Sequence, residues 1–139
     1  MSAYKEIQTE FRSLNSLLDA LHDLGFTDAM LQVAPDPKFA TLPMYGYQGD
    51  QRPERAGVHI PREFVGSAAN DVGFAWNGGC YVAIISEFDS SQNFTEERVN
   101  KLKQRYALHE VKKQAKMKGY SVQEVSQNDG SIRLVCVRR

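Results

Sequence analysis

The chain has 139 residues, of which 42% are hydrophobic and 24% charged, and its seventeen basic and seventeen acidic side chains cancel. Such a length supports one core and a single domain over 1–139, and such a composition excludes wholesale disorder. No apolar run approaches the roughly 18 residues that would span a bilayer.

The N-terminal segment MSAYKEIQTEF lacks the basic stretch followed by an apolar one that marks a signal peptide, so the expected compartment is the cytoplasm, with no membrane partner. Alternation of Ala3, Ile7 and Phe11 predicts an opening strand over 3–11. Ser13 then stands as an N-cap, and Leu14, Leu17, Leu18, Leu21 and Leu24 form one helical stripe that Gly25 ends. A second strand is predicted over 29–33.

All five prolines fall between Pro35 and Pro61. Residues 34–66 are therefore expected to be mostly loop, with short strands only at 44–47 and 57–60. Asn77-Gly78-Gly79 joins strands at 72–76 and 80–87 in a tight hairpin, because Asn and Gly tolerate the positive φ that such turns need. Caps between Asp89 and Thr95 open a long helix over 95–118 that Gly119 stops. A last hairpin, 120–125 with 131–137, turns at Asn128-Asp129-Gly130. The predicted class is α+β: one mainly antiparallel sheet with two helices packed on one face, related to a ferredoxin-like sandwich.

Cys80 and Cys136 are the only cysteines and show no metal or thiol-exchange spacing. Both are expected to be reduced and structural. The neutral total hides a division: residues 1–94 carry six basic against twelve acidic side chains, and residues 95–139 eleven against five. Such a split steers a charged partner or lets the two halves pack together.

The long helix holds most of the positive charge. On a helical wheel Val99, Leu102, Tyr106 and Met117 share a sheet-facing sector, with Glu110 intruding. Ala107, Leu108, Val111 and Ala115 form a second apolar group, which packs on the first helix or serves a partner. Between them Arg98, Lys101, Arg105, His109, Lys112 and Lys116 make a basic stripe, the candidate binding site. Its spacing would suit phosphate contacts, yet it is also what a solvated amphipathic face needs.

Catalytic constellations are weak. Arg105 and His109 lie one turn apart, which would place a base beside a cation, but no carboxylate is positioned by sequence. His22 and His59 stand on other elements, so no metal or cofactor site is expected. Asp19 and Asp23 read as a solvated pair. Phe74 and Trp76 read as packing residues, and the glycines of 45–49 lack the Lys-Ser/Thr of a phosphate loop.

Asp71-Val72-Gly73-Phe74, the Asn77-Gly78 turn with Tyr81, Gln104-Arg105-Tyr106-Ala107 with His109, Gly119-Tyr120 and Asp129-Gly130-Ser131-Ile132-Arg133-Leu134 stand in the order found in a conserved hypothetical protein family of cyanobacteria and algal plastid genomes. Tyr45-Gly46-Tyr47-Gln48-Gly49 also resembles a Gly-Tyr-x-Gly element of that family. The chain departs from the pattern around 34–43 and 62–69. The resemblance implies a small soluble protein, in the stroma if the source is an alga, and it assigns no catalytic residues. The leading expectation is a non-enzymatic protein that binds another macromolecule or itself through the basic helix; weak nucleic-acid binding and an enzyme using Arg105, Tyr106 and His109 are the alternatives.

Overall fold

A computed structural model describes residues 3–138. Strand β1 (Tyr4–Phe11) forms one edge of a five-stranded antiparallel sheet, and helix α1 (Leu14–Asp23) follows it directly. Ser13 caps α1 by accepting a hydrogen bond from the Ser16 N–H, and Gly25 leaves it at φ +101°. Both roles follow from the sequence. The predicted second strand is shorter than expected, because Asp28–Met30 winds into a 3₁₀ turn and leaves only Gln32–Val33 as β2.

The proline-rich segment is more regular than its composition implies. It contains β3 (Leu42–Tyr45), β4 (Gln51–Ala56), β5 (Val58–Ile60) and one turn of helix, α2 (Arg62–Val65). Strand β4 was not expected, since QRPERA has a central proline and no apolar alternation. It is tolerated because β4 belongs to a two-stranded sheet with a register shift, and Pro53 and Glu54 are the residues left over between the Arg52 and Arg55 pairings.

Strands β6 (Val72–Trp76) and β7 (Tyr81–Ser86) form the predicted hairpin, with Gly78 at φ +103°. The sheet order is β1-β7-β6-β5-β2, so β1 and β2, joined through α1, lie on opposite edges. Short helix α3 (Glu87–Gln92) starts at the end of β7, and α4 (Glu96–Met117) follows under a Thr95 cap. Strands β8 (Tyr120–Ser126) and β9 (Ile132–Arg138) close the chain as a separate hairpin. Three sheets thus replace the single one expected. The α+β class is as predicted, and the two expected helices, α1 and α4, pack on one face of the five-stranded sheet, with the short α2 and α3 unexpected.

One sheet face buries Val58, Ile60, Val72, Phe74, Tyr81, Ala83 and Ile85, the alternate residues of three strands, against Leu17, Ala20 and Leu21 of α1 and Val99 and Leu102 of α4. Each large side chain withdrawn there contributes about 1.5–3 kcal/mol. The other face is covered by the β3–β4 hairpin, whose Met44 and Ala56 pack on Ile84. Gly73 sits beneath them, and a Cβ on it would lie 2.7 Å from Met44 Sδ and 2.9 Å from the Ala56 Cβ. Only glycine lets the second layer approach so closely. No helix among the described residues is long and apolar enough to cross a membrane.

Candidate functional site

Helix α4 is capped by Thr95, which accepts from the Arg98 N–H, and carries Glu96 and Glu97 in its first turn and Lys116 in its last, as the helix dipole favours. The helix is buried on two sides. Val99 and Leu102 meet the sheet and α1, whereas Leu108 and Ala115 are buried on the flank where β8 packs. Met117, expected on the sheet side, is 77% exposed, and Ala107 and Val111 of the second apolar group also face solvent.

The basic stripe lies in the seam between α1 and β8, and its middle is neutralised from both sides. Arg105 donates through Nε to Asp23 Oδ2 at 2.7 Å and through its NH1 nitrogen to Glu124 Oε1 at 2.6 Å. His109 Nε2 lies 2.6 Å from the same Asp23 oxygen, and Lys112 Nζ lies 2.9 Å from Glu124 Oε2. Burial opposes charge on Asp23, but the hydrogen bonds from Arg105 and His109 outweigh it and hold the carboxyl below its usual range. The hydrogen bonds from Arg105 and Lys112 bring Glu124 down to about 2.

Arg98 is engaged differently. It is half-buried, its guanidinium lies over the rings of Phe26 and Phe94 at 4.8 and 5.1 Å, and it donates to the Asn93 carbonyl. Lys101 and Lys116 remain exposed. The acidic and basic parts of the chain therefore pack against each other through Asp23, although its place on the polar side of α1 suggests a solvated residue. Tyr106, half-buried, accepts from the N–H groups of Arg12 and Ser13 at 2.8 and 2.9 Å. Its hydroxyl fastens the entrance of α1, while Arg105 and His109 are engaged by α1 and β8, so the three side chains do not converge on one cleft.

The second polar cluster is one that the sequence did not announce. Asp71, at the start of β6, accepts at Oδ2 from the Tyr45 N–H and at Oδ1 from the Arg62 N–H, both at 2.8 Å. The Tyr47 N–H donates to Asn70 Oδ1, while the Asn70 N–H and Nδ2 both donate to Asp89 Oδ2. Asn70, Asp71, Ser86 and Asp89 are all buried, and Ser86 donates to the same Asp89 oxygen at 2.8 Å. Such a network is stable because each buried polar group finds a partner.

Beside it opens a cleft of about 450 Å³ lined by Gln32, Tyr45, Gly49, His59, Arg62 and Asp71, among others. His59 is only 3% exposed, and its Nδ1 has no hydrogen-bond partner. Burial lowers its pKa, an effect that the nearby Asp71 charge partly offsets. Phe74 is in the core, Cys80 donates to the Thr9 carbonyl at 3.2 Å, and Cys136 is exposed; both thiols are free.

Four of the six segments that carried the family resemblance gather in two places. Residues 45–49 and 71–74 meet at the cleft, and 104–109 meets 129–134 beside the seam, where Gln104 donates to the Gly130 carbonyl of the β8–β9 turn. A family model described as "Protein of unknown function (DUF1257)" matches residues 20–135. The chain belongs to this family. It is also similar to the "Uncharacterized protein ycf35" of Pyropia yezoensis, at 28% identity over 141 residues, covering 99% of this chain and 98% of that protein. No solved structure matches it. The expectation drawn from the motifs holds at the level of the family, whose printed description assigns no activity.

Proposed function

We propose that this member of the family is a non-enzymatic assembly protein that pairs with a second copy of itself through α4. The supporting observation is the polarity of the sector of α4 that neither α1 nor β8 occupies. That sector begins with Glu96, passes Asn100 and Lys103, has Ala107 at the midpoint of the helix, and continues through Val111 toward Lys118. It is self-complementary. Two such helices laid antiparallel about Ala107 put Glu96 opposite Lys118 and the stem of Lys103 opposite Val111 of the other copy, with the small Ala107 side chains allowing close approach.

The groove between this sector and the free edge of β1, about 830 Å³ and lined by Phe11, Tyr106, Ala107 and Val111, supports the same reading. It gives the partner's Val111 and the stem of its Lys103 an apolar bed. The reading moves the binding surface from the basic stripe, whose centre is already paired, to the neighbouring sector.

Light scattering across a range of protein concentrations tests it. A dimer is expected, which Ala107→Arg converts to a folded monomer and which Glu96→Lys or Lys118→Glu weakens, with the double exchange restoring it. A monomer at every concentration, or a dimer indifferent to Ala107→Arg, overturns the reading.

A further inference from the structure

A half-buried guanidinium without a carboxylate is an unusual thing to find at the mouth of a cleft. The Arg62 NH1 nitrogen donates to the Gly46 carbonyl at 2.9 Å, a neutral acceptor, and no acidic side chain of the described residues forms an ion pair with it. Of the acidic residues that line the cleft, Glu63 is exposed and the buried Asp71 spends both oxygens on main-chain N–H groups, including that of Arg62 itself. A guanidinium has five N–H donors in a planar fork that suits oxyanions, so most of the donor capacity of Arg62 is unspent.

Two further features point the same way. His59 lines the same cleft, and its Nδ1 has no partner although the residue is only 3% exposed. A buried polar atom without a partner costs free energy that a ligand or ordered water would recover. Opposite, the turn 46–50 is pinned by Gly46 N–H to the Asp50 carbonyl and Tyr47 N–H to Asn70, so the wall is built before any ligand arrives. Gly49 takes φ +83° in that turn, next to the Arg62 guanidinium.

We infer that this cleft binds a small molecule through an oxyanion group, a phosphate or a carboxylate, with Arg62 as its principal cation and the imidazole of His59 as a second contact. The body of the ligand would lie along Pro43, Tyr45 and Pro61, which line the same opening. A volume of about 450 Å³ suits a metabolite and not a macromolecule. The charged and polar groups that line the cleft with His59 are Asp71 from the start of β6, whose charge acts on it, Arg62 from α2, Gln32 from β2 and the exposed Glu63. An anion at Arg62 would therefore favour protonation of His59.

The site is distinct from the α4 surface, so the two readings can fail separately. The experiment is a titration of the isotope-labelled full chain, followed by nuclear magnetic resonance, with inorganic phosphate, with acetate and with chloride at matched ionic strength. Saturable shifts at the Arg62 side chain, the His59 ring and the amides of 46–50 are expected with one or both oxyanions and not with chloride. Phosphate alone identifies a phosphorylated ligand, acetate alone a carboxylate, and both the shared chemistry. Arg62→Gln should weaken binding at least about tenfold; Arg62→Lys should be intermediate, and the exposed Arg133→Gln should be unchanged. If Arg62→Gln does not fold, His59→Gln is read in its place and is expected to weaken the same shifts. Shifts that track chloride, or that survive Arg62→Gln or its His59→Gln substitute unchanged, overturn the proposal.

Discussion

Asp23 of α1 and Arg105 of α4, 82 residues apart in sequence, meet at 2.7 Å, and the same arginine reaches on to Glu124 of β8. One guanidinium thus ties together three elements. An isolated two-stranded hairpin is marginal in water, so β8–β9 depends on α4 for its place.

That dependence gives a pH effect with a definite sign. Glu124 titrates near 4.5 when unfolded and at about 2 when held by Arg105 and Lys112. Its contribution is complete above the unfolded value and is lost as pH falls through the folded one. Hydrogen exchange of the β8–β9 amides should accelerate below about pH 4.5 relative to those of β6 and β7. Glu124→Gln should raise exchange in the hairpin at neutral pH by an amount worth on the order of 1 kcal/mol or less, and should abolish the acid dependence.

Tyr106→Phe keeps the ring against Phe11, 5.0 Å between centroids, and removes only the hydroxyl. The N–H groups of Arg12 and Ser13 then lose their acceptor at the start of α1. Urea denaturation should show a loss of about 1–2 kcal/mol, with exchange raised first in α1.

Gly73→Ala would push a methyl group into Met44 and Ala56. A cost of about 1–3 kcal/mol is expected from overpacking. Met44→Ala, itself destabilising because Met44 is fully buried, should cost less in the Gly73→Ala background than alone. A double-mutant cycle in urea reads this coupling; additive losses would mean that β3–β4 does not press on β6 as described.

His59 gives a second pH dependence. Its pKa is lowered by burial from the ordinary 6.5, so below that value the unfolded chain takes up a proton that the folded chain resists. Stability is therefore expected to be undiminished above about pH 6.5 and to decline as pH falls beneath it. His59→Gln should flatten the melting temperature between about pH 7.5 and 5.5, roughly one unit either side of the unperturbed histidine pKa.

Local signals were read from sequence wherever one residue type has one physical use. Ser13 and Thr95 as caps, Gly25 and Gly119 as helix stops, and Asn77-Gly78 as a hairpin turn all stand where predicted. What escaped was set by distant packing. QRPERA becomes a strand because β3 pairs with it over the sheet, and nothing within those six residues says so. The basic stripe was visible residue by residue, but Asp23 and Glu124, which neutralise it, come from elements whose placement a helical wheel does not contain. His59 read as a lone strand histidine; only the folded register puts it between Gln32 and Gly73, beside Asp71.

From Gln51 to Ile60 the polypeptide is one ribbon creased at Gly57, with β4 in the outer layer and β5 in the sheet. At the crease the N–H donates to the Phe74 carbonyl, the carbonyl accepts from the Ala34 N–H, and the missing Cβ leaves room for Pro37. Such a crease cannot slide along the strand without breaking both bonds at once. The outer hairpin is consequently a clasp across the sheet and not a flap, and the floor of the cleft at His59 is held in the same piece of backbone that fastens it.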